Sequence, residues 1–197
     1  MYPGCFLFNV MSKKSTQFML ESLITSKTRI KLMMKFFING NTTGYLRNLA
    51  AEFGESTNAI RQELIRFEQA SLLESRTEQN KKLYKANTRH PFFKDIHKLL
   101  LKYVGIEQIV DTVVKRLGKL EKGYIVNDFA MGNPGKIIDL ILVGKELDHE
   151  YLNKLVRKAE ESVSFKIRYL AVNPEEADTY VPDKTKSLLV WSVEGNN

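Results

Sequence analysis

Asn58, Arg61, Gln62, Ile65 and Gln69 fall at the three- and four-residue spacings that line up side chains along one face of a helix, with Arg66 at the border of that face. Their chemistry is that of base recognition. Asn and Gln can pair bidentately with adenine and Arg with guanine, in a major groove that admits one helix. Ser56 and Thr57 stand just before this run, where hydroxyls and free backbone N–H groups can hold a phosphate. Arg47 upstream, and Arg76, Lys81, Lys82 and Lys85 downstream, are suited to flanking backbone phosphates. A solvated helix face with an ordinary charged hairpin would have similar composition, so the surrounding elements decide the reading.

Those elements are legible. Thr25-Ser26 precedes a helix over Lys27–Ile38, whose Ile30, Met33, Met34 and Phe37 form its inward stripe, and Asn39-Gly40 stops it. After a polar link, Asn41-Thr42-Thr43-Gly44, comes a compact helix with Leu46, Leu49, Ala50 and Phe53 inward, ended by Gly54. Ser56 then caps a third helix reaching about Ala70, with Ile60, Leu64 and Phe67 inward. Two helices separated by only Gly54-Glu55-Ser56 must cross steeply, which is the helix-turn-helix arrangement. Leu72–Glu78 and Lys82–Asn87 read as a β-hairpin around Gln79-Asn80-Lys81. That order predicts a winged helix.

His90-Pro91 is expected to open a further helix, with Phe92, Phe93, Ile96, Leu99, Leu100 and Tyr103 on a broad apolar face. Gly105 breaks it, and Ile106–Leu117 continues as a second helical segment. Beyond Gly118 the pattern becomes mixed. Strands are expected at Tyr124–Phe129, Lys136–Gly144 and Phe165–Val172, an amphipathic helix at Asp148–Ser164 and a short helix from Pro174. Lys186–Ser192 fits a buried strand or a helix end equally.

Composition agrees with two regions of different character. Residues 1–105 carry 17 Lys+Arg against 8 Asp+Glu, a net of +9, whereas residues 106–197 carry 13 against 15, a net of −2. The basic half attracts polyanions, of which nucleic acid is the commonest, although an acidic protein partner or solubilising charge also fits the excess alone. With 43% apolar and 27% charged residues, the chain can bury a core and is not wholesale disordered. The longest apolar stretch, Leu32–Ile38, is interrupted by Lys35, so no membrane span is expected. Cys5 is the single cysteine, which excludes an internal disulfide framework and a thiolate metal cluster. The first eleven residues lack the basic start and cleavage site of a signal peptide, so a cytoplasmic protein is expected.

The segment from Ser26 to Phe93, with Tyr45-Leu46-Arg47-x-Leu49-Ala50 and its Tyr84…Asn87…His90-Pro91 ending, resembles ArsR-type winged-helix regulators. More narrowly, it resembles the subgroup fused to a nucleotidyltransferase-like domain. Ser71 departs from the glycine usual before the first wing strand. The resemblance raises metal sensing, and the residues argue against it. Thiolate sensing needs cysteines near the readout helix, and Asp95-Ile96-His97 supplies only half of the oxygen/nitrogen motif, Gln108 and Asp111 standing where its second imidazole is needed.

Residues 124–172 resemble the minimal nucleotidyltransferase domain of the DNA polymerase β-type superfamily. That family holds nucleotide phosphates with a Gly-Ser pair and divalent metal with Asp-x-Asp plus a later carboxylate. Here Asn127-Asp128 stands for Gly-Ser, followed by Phe129, Ala130 and a retained Gly132. Ile137-Ile138-Asp139 stands for Asp-x-Asp, and Phe165–Val172 contains no Asp or Glu. The resemblance therefore implies a degenerate site at Asn127, Asp128, Gly132, Ile137 and Asp139, with no catalytic residue, metal or cofactor.

The expected fold class is α+β: an N-terminal winged helix-turn-helix over 1–105 with dimerisation helices, then a small mixed α/β nucleotidyltransferase-like domain over 106–197. The expected function is sequence-specific binding of double-stranded DNA by a homodimeric transcriptional regulator. Residues before Ile24 and the apolar helices of 91–117 would join the two copies. The second domain would serve assembly or sensing of a small-molecule or nucleotide effector. The rival readings are an active nucleotidyltransferase targeted by its winged helix, and a protein-interaction module.

Overall fold

Ser26 accepts a hydrogen bond from the Arg29 amide at 3.1 Å and so caps α1, Lys27–Phe37. The computed structural model describes residues 21–193 except Gly118, Pro134 and Ser164. Cys5 and the segment expected to aid dimerisation before residue 21 lie outside the described residues. After α1 come β1 (Thr43–Tyr45), α2 (Leu46–Phe53), α3 (Thr57–Gln69), β2 (Leu73–Glu78) and β3 (Lys81–Ala86). The three strands make an antiparallel sheet in the order β1-β3-β2.

Local chemistry explains the boundaries. Gly54 ends α2 at φ 65°, a left-handed conformation that favours glycine. Ser56 caps α3 by accepting from the Ala59 amide at 3.1 Å. Gln79 (φ 44°) and Asn80 (φ 63°) form the two-residue hairpin turn, both in the left-handed region that matches the twist of the flanking strands. Ser71 holds φ 58° at the turn into β2, a backbone conformation in which glycine carries no Cβ penalty.

The following elements are α4 (Phe93–Val104), α5 (Ile106–Thr112) and a 3₁₀ turn at Val114–Arg116. Then come β4 (Leu120–Val126), α6 (Asn127–Ala130), β5 (Ile137–Gly144), α7 (His149–Ser162), β6 (Lys166–Val172), a 3₁₀ turn at Pro174–Glu176, α8 (Ala177–Tyr180) and β7 (Ser187–Ser192). Their sheet runs β6-β5-β4-β7. β5 and β6 are parallel, joined across α7, and the other pairs are antiparallel. The chain is therefore a mixed α+β fold with two sheets. Among the described residues no helix is long and apolar enough to cross a membrane.

Several expectations need correction. The polar link before α2 contains β1, because Thr43, Gly44 and Tyr45 pair with Lys85, Tyr84 and Leu83. Pro91 lies in a turn, and α4 starts only at Phe93. The strand expected to reach Phe129 ends at Val126, and Phe129 is buried in α6. Lys186–Ser192 resolves as a strand, β7, because it pairs with β4.

Two further corrections concern packing. α1 is not buried along one stripe alone, since Leu32, Lys35 and Phe36 are buried as well as Met34 and Phe37. Part of the additional cover comes from the second half. Gly132 abuts the backbone of Lys35 and Met34, and Asn39 Nδ2 donates to the Lys184 carbonyl at 3.0 Å. The apolar breadth of residues 91–117 likewise does not need a second copy to cover most of it. Leu100, Val104, Ile106, Ile109, Val113 and Val114 are buried within one chain, where α5 packs on α7, in a cluster that also takes in α1 and β5. Phe92, 64% exposed, is the large apolar residue that this packing leaves out.

Candidate nucleic-acid interface

The inward stripe of α3, Ile60, Leu64 and Phe67, is fully used in the core, so its opposite face must look outward. That face carries Asn58, Arg61, Gln62, Ile65, Arg66 and Gln69, all exposed, as is Thr57. A groove of about 750 Å³ opens between this helix, the start of α2 and the hairpin. Arg61 and Ile65 form one wall, Arg47 and Asn48 another, and Gln79 to Lys82 the rim, with Tyr45 and Tyr84 between them.

The groove thus unites Arg47, Arg61, Lys81 and Lys82 from the expected set. Asn58 and Gln62 share the α3 face beside it. The Ser56 hydroxyl accepts from the Ala59 amide as the helix cap, and Ser56 and Thr57 are both exposed at that end. Arg76 and Lys85 lie elsewhere. Their cross-strand partners are Leu83 for Arg76 and Glu74 for Lys85, which puts both on the sheet face opposite Lys82 and Tyr84. Tyr45, Asn48, Gln79, Asn80 and Tyr84 also line the groove, a role the sequence does not assign them, because their convergence depends on how hairpin and helix dock.

Charge pairing divides the cations further. Lys82 Nζ lies 2.7 Å from Glu68 Oε2, and this hydrogen bond raises the lysine's pKa while holding the Glu68 carboxyl low, helped by a hydrogen bond from Ser75. Burial raises the Tyr84 phenol, over whose ring the Lys82 ammonium sits at 5.4 Å. Arg76 pairs with Glu78 at 2.7 Å and Arg66 with Glu63 at 3.1 Å. Arg47, Arg61, Lys81 and Lys85 have no ion pair among the described residues.

Glu63 has a separate role that local sequence patterns do not reveal. Its buried carboxylate receives Arg29 Nε at 2.9 Å, Arg29 Nη2 at 3.3 Å and Ser26 Oγ at 3.1 Å, besides Arg66. Burial alone would raise its pKa. The hydrogen bonds from Arg29 and Ser26 and the positive charge of Arg29 and Arg66 outweigh that and hold it below the usual carboxylate range. Glu63 therefore pins α3 to α1 from inside while the outer face stays open.

The second constellation is closed. Asp139 Oδ1 meets Arg168 Nε at 2.7 Å and Oδ2 meets Arg168 Nη2 at 3.0 Å, a bidentate pair across the parallel strands β5 and β6. Asn127 Nδ2 donates to the same Oδ2 at 3.1 Å. Burial pushes the Asp139 carboxyl up, but Arg168 and Asn127 bring it below its ordinary value. Asp128 is exposed and Ile137 is 42% exposed at the start of β5. Gly132 holds φ 77°, in the left-handed region that favours glycine. A Cβ there would stand 2.4 Å from Lys35 Cα, so the residue serves close packing against α1.

Metal-ligating residues do not converge: no group of three or more His, Cys, Asp or Glu able to hold a metal occurs among the described residues. His97 Nδ1 donates to the Phe37 carbonyl at 2.8 Å, and its ring stacks on Phe93. Asp111 pairs with Lys115 at 2.6 Å.

No family model matches the chain, and no curated protein matches it. Among solved structures the chain is similar to a "putative nucleotidyltransferase" from Sulfolobus solfataricus. The two are 21% identical, over 47% of this chain and 81% of that one, with a TM-score of 0.34. A likeness of that size carries no argument about the site.

Proposed function

We propose that the first half is a winged helix that binds double-stranded DNA in a sequence-specific manner, as the DNA-reading part of a homodimeric transcriptional regulator. One observation carries the reading: Arg61, without an ion-pair partner among the described residues, lines an open groove next to the outward Asn58 and Gln62. α3 would enter the major groove and present these side chains to base edges. Arg47 and Lys81, on the flanking walls, would hold phosphates and set the register. In a homodimer two such helices would address half-sites about 34–36 Å apart. The open apolar strip at Phe92, Leu72 and Leu99 supports that pairing.

The second half is proposed to be a nucleotidyltransferase-like fold without its chemistry, used for assembly or effector sensing. Supporting this, the carboxylate of Asp139 is already answered by Arg168 and Asn127. A metal ion would have to displace a bidentate guanidinium.

Selection of bound fragments from a duplex DNA library by the full chain, followed by sequencing, tests the proposal. Enrichment of a paired motif is expected. A library returned without enrichment would sink it. Incubation with labelled nucleoside triphosphates and Mg²⁺ or Mn²⁺ tests the second half, and no transfer of label is expected. Label transfer abolished by Asp139→Ala would make the second half an active transferase instead.

A further inference from the structure

Ile65 is an aliphatic side chain, 43% exposed, on the otherwise polar outer face of α3. The core does not use it, since Ile60, Leu64 and Phe67 complete the inward stripe. Helix propensity does not favour it either, because a β-branched residue loses rotamer freedom on a helix. A single exposed isoleucine is ordinary on most surfaces. This one shares a groove wall with Arg61, one helical turn away, and opens toward the hairpin rim.

We infer that Ile65 is a specificity residue that reads the 5-methyl group of a thymine. The inference rests on the proposed placement of α3 in the major groove. There each base pair offers hydrogen-bond donors and acceptors, and thymine alone among the four bases adds an apolar group. An aliphatic side chain pressed against a donor or acceptor strips it of water and returns no hydrogen bond. Against a methyl group, it buries apolar surface on both partners. Ile65 therefore selects for thymine and against cytosine, whose amino group would be left unpaired.

The spacing also places that thymine. Four residues of helix rise about 6 Å, at roughly 1.5 Å each. Successive base pairs are about 3.4 Å apart. The thymine read by Ile65 lies within about two base pairs of the guanine read by Arg61.

The test uses the full chain and a duplex enriched from a random library. Each thymine of the enriched site is replaced in turn by deoxyuridine, which differs only in lacking the methyl group. One thymine per half-site, within two base pairs of a guanine, should weaken binding about fourfold when replaced. Ile65→Ala should bind the thymine and uracil forms equally, and Ile65→Leu should keep the preference. Ile65→Gln gives the same readout as Ile65→Ala if the alanine variant is unstable. Tolerance of uracil at every position, or an undiminished preference in Ile65→Ala and Ile65→Gln, overturns the inference and leaves DNA binding standing. If no duplex is enriched at all, the placement of α3 falls first and the inference with it.

Discussion

The groove beside α3 and the cluster around Asp139 are both polar, both charged and both built in part on the middle strands of a sheet, yet they are electrostatically opposite. In the groove, Arg47, Arg61 and Lys81 have no ion pair among the described residues, so their charge is directed at whatever approaches. Around Asp139 the charge is answered within the chain, by two hydrogen bonds from Arg168 and one from Asn127. Residue types alone do not separate a binding surface from a self-contained ion pair. What separates them is whether a partner already stands within about 3 Å.

The largest expected consequence is the salt dependence of DNA binding. The proposed dimer, with at least three cations per copy that have no ion pair among the described residues, should release several counterions, giving a log–log slope of roughly −5 or steeper. Raising salt from 50 to 200 mM should then lower affinity about a thousandfold, measured by fluorescence anisotropy on the enriched duplex. Asp139→Asn should leave that slope unchanged. A flat response would remove the contrast between the two constellations.

Next in size is the coupling of the two regions through Gly132. Its Cβ would meet the Lys35 backbone, in the C-terminal part of α1 where Met34, Lys35, Phe36 and Phe37 are all buried and leave little room to shift. Gly132→Ala should cost about 3 kcal/mol or more in urea unfolding. Gly54→Ala, with a similar positive φ but open space around it, should cost about 1 kcal/mol. Equal losses would mean that the second half does not brace α1.

Arg61→Ala should cost about 1–3 kcal/mol on the enriched site and relax base preference at one position. Lys81→Ala should weaken all sequences alike. Lys82→Ala should do less than Lys81→Ala, since Lys82 must first leave Glu68. Competition of wild-type and variant proteins for a set of single-base variants of the site distinguishes these roles.

The helices of the first half are legible in the sequence because their signals are local. Ser26 and Ser56 cap, Gly54 stops, and apolar residues recur with the helical period. The hairpin is legible for the same reason. β1 is not, because three residues become a strand only by pairing with β3, about forty positions away. Glu63 is hidden similarly: its spacing marks it as one more polar residue on α3, and Arg29, its main partner, lies on another helix. In the sequence Gly132 reads as a remnant of a phosphate loop. Only the approach of α1 reveals it as a packing contact. The Asp139–Arg168 pair depends on the parallel register of β5 and β6, which no local pattern encodes.

The smallest effect expected is that of pH on the closed ion pair. Asp139 is held below its ordinary pKa in the folded chain, so its ionised form stabilises the fold. That contribution is fully present above the unfolded carboxyl pKa, near about 3.9, and is lost as pH falls through the lower folded value. Because Arg168 is 67% exposed, the pair contributes no more than about 1 kcal/mol. Asp139→Asn should therefore lower the urea midpoint slightly at pH 7 and flatten its decline below about pH 4. Glu63→Gln should flatten the same limb more, because Glu63 is more deeply buried and gathers two arginines and a serine. A larger flattening from Asp139→Asn would reverse the ranking, and make the second half's ion pair the stronger acid-sensitive tie.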